Sequence, residues 1–152
     1  MAKKVTQEPQ HVIPHTQVSL NTHEKINTVY SGYIERLEGG YARVALETIE
    51  TMQADDVGLV HGGFIFSAAD FAAMAAVNEP NVVLAACNCM FLAPVRVGDI
   101  VIFEAKEQQS DGRKRNVTVK GFVHEIKVFE GEFKTVVTER HVLRLDLMKN
   151  IE

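Results

Sequence analysis

Two hydrophobic rhythms run along the chain, and they change over near residue 61. In "YARVALET", Ala42, Val44, Leu46 and Thr48 alternate with Arg43, Ala45 and Glu47, the period of a strand with one buried face. The wider segment "GYIERLEGGYARVALETIETM" predicts two strands around a turn at Gly39-Gly40. A loop, "QADDVGLVHGG", follows. From Phe64 to Val77 the chain is then apolar almost all round, interrupted only by Ser67 and Asp70. A helix of that kind must be enclosed on every side, and Asn78 and Pro80 stop it.

Beyond the helix, "NVVLAACNCMFLAPV" is apolar on both faces and predicts a central strand, broken by Pro94 and Gly98-Asp99. Alternation returns in "DIVIFEAKEQQ", "RNVTVKGFVHEIKVF" and "EFKTVVTERHVLRL", three strands joined by turns at "SDGRK" and "FEGE". Ahead of the first strand, Asn21 or Thr22 offers an N-cap for a short helix. Residues 1–20, with Pro9 and Pro14, are expected as a flexible tail, which leaves 21–152 as a single domain. Strand, strand, one buried helix, then four strands is an α+β order. One antiparallel sheet wrapped around one central helix satisfies it.

Composition narrows the function. The 152 residues suffice for one domain with a proper core. A net charge of −4 gives no basic footprint for nucleic acid or a membrane surface. No window approaches the roughly 20 apolar residues of a bilayer span, and "MAKKVTQEPQHVIPHTQ" has no apolar signal core. A cytoplasmic protein is expected. Cys87 and Cys89 face the same way on a strand, where a bridge between them would be strained. They read as reduced core thiols, and no metal site is expected.

The candidate chemistry lies at the helix. A carboxylate in an apolar helix costs several kcal/mol or is forced to protonate. Asp70 is therefore a candidate for use, or for a bond to nearby backbone or a partner subunit. His61-Gly62-Gly63 stands at the helix mouth, where unpaired N–H groups and a partial positive charge meet a ligand that no side chain obstructs. The same glycines also suit a tight turn. His61 is open between bonding a ligand carbonyl, orienting a loop and capping the helix.

This element order resembles the hot-dog fold, and more narrowly the thioesterase group that includes the phenylacetyl-CoA thioesterases. The likeness rests on "HGG" opening the helix, on Asp70 nine residues after His61, and on "FLAPVRVGDIV", which fits an aromatic-x-x-Pro-x-x-x-Gly-Asp pattern. It covers roughly residues 30 to 143. The resemblance implies hydrolysis of an acyl or aryl thioester. Asp70 would be base or nucleophile, and the Gly62 and Gly63 amides would be oxyanion donors. It also implies a homodimer or dimer of dimers with sheets joined edge to edge and the substrate between subunits. No cofactor is expected beyond acyl-CoA as substrate or ligand.

Around this centre, Arg113, Lys114 and Arg115 are candidate contacts for the coenzyme A phosphates, or simply a solvated turn. Phe64, with Phe66 and Met74, lines an acyl tunnel or packs the core. The loop before "HGG" often carries a side-chain amide in the resembled group. Here it holds Gln53, Asp55 and Asp56. An Asp55 turned towards Asp70 would repel an anionic water and favour a non-catalytic acyl-CoA-binding protein; turned away, it favours catalysis. The chain is also similar to the sensor domains of fatty-acid-biosynthesis repressors. Those carry a helix-turn-helix ahead of the sheet, and no basic recognition helix precedes the first strand here. Dehydratase chemistry on the same fold matches less well.

Overall fold

The structure is a computed structural model that describes residues 18–146. The first regular element is a single turn, α1 (Thr28–Ser31), capped by the Asn27 side chain, which accepts the Val29 N–H at 3.0 Å. A helix start at Asn21 or Thr22 does not occur. The Thr22 side chain is buried and bonded to His23 Nδ1 at 2.7 Å, so it cannot cap a helix. Of the expected tail, residues 1–17 lie outside the described residues. Val18 and Asn21 are tied to the fold, through Leu37 O at 3.3 Å and Asn78 Oδ1 at 2.7 Å.

The strands are β1 (Tyr33–Glu38), β2 (Tyr41–Glu47), β3 (Val82–Phe91), β4 (Ile100–Asp111), β5 (Lys114–Val123) and β6 (Ile126–Val137). They form one antiparallel sheet in the order β1-β2-β4-β5-β6-β3. The long helix α2 (Gly62–Val77) lies against one face of it. Every residue from Phe71 to Val77 is buried. Opposite the helix, Phe103, Phe129 and Phe133 are fully buried, worth about 1.5–3 kcal/mol each. Phe66 stacks on Phe133 at 5.8 Å and 25°. Asn78 ends the helix in the left-handed conformation, its N–H on Met74 O at 2.8 Å. This is the α+β, hot-dog architecture.

Three strand expectations change. First, β3 is an edge strand, not a central one. Its helix-facing Val82, Leu84, Cys87 and Cys89 pack on the core, while Ala86, Asn88 and Met90 are exposed. The apolar run does not report two neighbours within the chain. Second, "FEGE" is not a turn: Phe129–Glu132 runs through the middle of β6. The reversal is at His124-Glu125, with His124 at φ 52°. Gly131 is there because the strands crowd: a β-carbon on it would come within 2.8 Å of Cys89 Cβ and 3.0 Å of the Phe133 ring. Third, the last strand stops at Val137, and Val142–Arg144 is a 3-10 turn.

Candidate active site

The loop into α2 is held from two sides. His61 N–H donates to Met52 O and Val60 N–H to Val95 O, both at 2.9 Å. His61 occupies the N-cap position with its side chain making no capping bond. Its ring instead folds over the helix start, where a β-carbon on Gly63 would meet Cδ2 and Nε2 at 3.0 Å. The Phe64 N–H turns back to His61 O at 3.1 Å. The Gly62 and Gly63 N–H groups, in the first turn, have no intrahelical acceptor. Gly62 is half-buried and Gly63 exposed. The helix therefore presents two bare donors at its positive end.

Asp70 lies two turns further in, roughly 12 Å along the axis from Gly62 at 1.5 Å per residue. Its Oδ1 is buried with no hydrogen-bond partner among the described residues. Burial pushes its pKa up to about 6. The carboxyl lies near the thiols of β3. Burial raises the Cys87 pKa, with Cys89 and then Asp70 adding to the rise. Sequence reading missed this neighbourhood, because only the β3 register brings Cys87 to Asp70. Among the described residues no three His, Cys, Asp or Glu side chains gather as a metal site.

The other candidates are placed differently. Asp55 does not face Asp70. Its Oδ1 accepts the N–H groups of Val57, Gly58 and Leu59 at 2.9, 3.0 and 3.2 Å, which closes its own loop. Those bonds, Leu59 first, lower its pKa. Asp56 is exposed on the same loop. Phe64 packs on the side of α1, 5.6 Å from Tyr30 and 6.1 Å from His61. Within one chain Arg113, Lys114 and Arg115 lie at the opposite end of α2 from Gly62. Arg115 pairs with Glu107 at 3.1 Å and reaches Glu79 at 3.9 Å, and Arg113 pairs with Glu139.

Phe91 is a further residue at the helix mouth. Its ring would touch a β-carbon on Gly62 at 3.5 Å, and it meets Phe129 edge-on at 5.3 Å and 76°. The signal for it was present, as the aromatic of "FLAPVRVGDIV".

A sheet wrapped on one helix, with paired glycine amides at its mouth and one buried acid within, defines a hot-dog domain. A profile of the thioesterase superfamily matches residues 57–128 of the chain. It is 56% identical over 119 residues to the methylthioribose-1-phosphate isomerase of Aquifex aeolicus, covering 78% of this chain and 26% of that one. It is 29% identical over 132 residues to the transcription factor FapR of Caldanaerobacter subterraneus, covering 84% and 66%. The chain thus spans about a quarter and about two thirds of the length of these relatives. Among solved structures, an uncharacterized protein of Pyrococcus horikoshii superposes with a TM-score of 0.83 at 46% identity, covering 84% of this chain and 98% of that one. A hypothetical thioesterase with coenzyme A from Streptococcus pneumoniae shares the fold, with a TM-score of 0.65 at 18% identity over 72% and 87%. No helix of the described residues is long and apolar enough to cross a membrane.

Proposed function

We propose that this protein is an acyl-CoA thioesterase in which Asp70 activates the water and the Gly62 and Gly63 amides hold the oxyanion. The observation that carries this reading is the unpartnered, buried Asp70 Oδ1. A carboxylate held near neutrality is matched to proton transfer at physiological pH. Asp70 takes a proton from water as the oxygen attacks the thioester carbon. The carbonyl oxygen becomes negative and is met by the amides. The C–S bond then breaks, and the thiolate leaves with the proton. Direct attack by Asp70, through an anhydride that water opens, uses the same groups. Neither route needs a cofactor.

The two parts cannot meet within one chain. A reacting carbon must lie about 3 Å from both the oxyanion donors and the attacking atom, and Gly62 and Asp70 are roughly 12 Å apart along α2. A homodimer formed by antiparallel pairing of the open β3 edges resolves this, with Asp70 of one subunit facing the glycines of the other. β3 runs from the C-terminal end of α2 to its mouth, so such pairing also carries Arg113 and Lys114 towards the partner's helix mouth. There they would meet the phosphates of coenzyme A. Two such dimers can associate further. The two unpaired cysteines suit a reducing, cytoplasmic setting.

Asp55 turned into its own loop supports turnover over mere binding. One observation favours the second reading, a non-catalytic acyl-CoA-binding regulator: the likeness to a transcription factor spans 84% of the chain. Thiol release from short, long and aryl acyl-CoAs, with wild type and Asp70→Asn, separates the two. A fall of at least about 100-fold in the variant supports the thioesterase. No turnover with saturable acyl-CoA binding supports the regulator.

A further inference from the structure

α1 is a single turn, too short to hold itself in water. Three ties fix it. The Asn27 side chain caps it, with Oδ1 accepting the Val29 N–H at 3.0 Å. The buried Ser31 hydroxyl bonds that of Ser67 at 2.7 Å, which gives one of the two polar positions of α2 its partner. Gly32 follows at φ 82°, packed on β2 so closely that a β-carbon would stand 2.6 Å from Val44 Cγ1. Phe64 lies one turn before Ser67, on the same face of α2. There Tyr30 meets it with ring centroids 5.6 Å apart and planes at 34°. Phe64 in turn meets His61 edge-on, at 6.1 Å and 82°, and the imidazole rests over Gly63.

We infer that Tyr30 is a positioning residue for the helix mouth: through Phe64 it fixes the His61 imidazole over Gly63, and so shapes the space in which a carbonyl oxygen reaches the Gly62 and Gly63 amides. His61 is exposed and makes no capping bond, so packing alone must select its rotamer at the helix start. Two contacts select it: the bare Cα of Gly63 beneath the ring and the Phe64 ring beside it. Phe64 is itself only half-buried, and Tyr30 packs against it. The Tyr30 hydroxyl reaches Thr51 Oγ1 only at 3.4 Å, so the ring rather than the hydroxyl carries the role. A misplacement of roughly 1 Å at a reacting centre costs up to about 100-fold in rate. The effect on rate rests on the thioester reading above; the ring contacts do not.

The test is the proton–carbon NMR spectrum of the histidine side chains in the full chain without substrate, the His61 signals being assigned by their loss in His61→Ala. Tyr30→Ala is expected to move those signals towards the positions of a freely turning imidazole, and Tyr30→Phe to leave them in place. Thiol release from the acyl-CoA that wild type cleaves fastest reads the consequence. Tyr30→Ala is expected to lower kcat/KM about fivefold to tenfold, and Tyr30→Phe to retain the wild-type value. In the His61→Ala background, Tyr30→Ala should cost less than about twofold. Should Tyr30→Ala not fold, Ser67→Ala takes its place, since it frees α1 and leaves every ring intact. Unchanged His61 signals overturn the inference, whether or not the protein cleaves any thioester. So does an equal loss of rate with and without His61. A Tyr30→Phe variant as impaired as Tyr30→Ala overturns it too, since the hydroxyl would then act directly. Displaced His61 signals in a protein that cleaves no thioester support the ring placement and overturn only the thioester reading.

Discussion

The imidazole of His61 rests on Gly63 so closely that a β-carbon there would stand 3.0 Å from both Cδ2 and Nε2. Gly63 is thus a seat for the ring as well as a bare donor. Gly63→Ala is expected to displace the imidazole and lower turnover about tenfold, because small misplacements at a reacting centre are expensive. His61→Ala removes the conflict, so the double variant should be no slower than His61→Ala alone. Steady-state rates of the three variants check this. Strictly additive losses would mean that the two residues act independently.

Asp70 governs the pH dependence of the reaction. As a base it must be ionised, and burial holds its pKa at about 6. The value of kcat/KM should rise about tenfold per pH unit below that point and level off above it. Asp70→Asn should remove the limb and lie at least about 100-fold lower. A limb that survives in the variant belongs to another group.

The same carboxyl makes the wild type less stable as pH rises. Its folded pKa of about 6 exceeds the ordinary 3.8, so between those values the folded state holds a proton that the unfolded state has lost. Stability falls across that window and stays lower above it, by about 2–3 kcal/mol in all. Asp70→Asn should therefore unfold at higher urea concentration than wild type at pH 7.5, with the gain vanishing near pH 4. Equal midpoints at pH 7.5 would show that the carboxylate is better solvated than its burial indicates.

If each site joins Asp70 of one subunit to Gly62 of the other, two dead variants can rescue each other. Gly62→Val fills the helix mouth, its β-carbon at an ordinary 3.5 Å from the Phe91 ring. Mixed with Asp70→Asn and allowed to exchange subunits, it should restore roughly a quarter of wild-type activity, since half the dimers are mixed and each holds one intact site. A mixture no more active than its components points to a site complete within one chain.

Gly131 lies opposite Cys89, where β6 and β3 crowd beneath the helix. Gly131→Ala would bring a methyl within 2.8 Å of Cys89 Cβ and 3.0 Å of Phe133, an overpacking expected to cost about 1–3 kcal/mol. Denaturant unfolding measures it. Gly39→Ala is the control, since nothing lies within 4 Å of its added β-carbon.

What was legible in the sequence is what local pattern carries. Alternation around Gly39-Gly40 marked β1 and β2, and the apolar run with Asn78 behind it marked α2. The bare glycines and the lone acid stood out because burial chemistry makes such residues costly wherever they occur. Periodicity names a face but not a neighbour. It could not tell that β3 ends the sheet, nor that Gly131 relieves crowding inside β6 rather than making a turn. Tertiary structure alone decided that Cys87 borders Asp70 and that Arg113 to Arg115 sit at the far end of the helix. Each depends on strand order and register, which arise from contacts between residues distant along the chain. The polar pattern of a single segment holds no record of them.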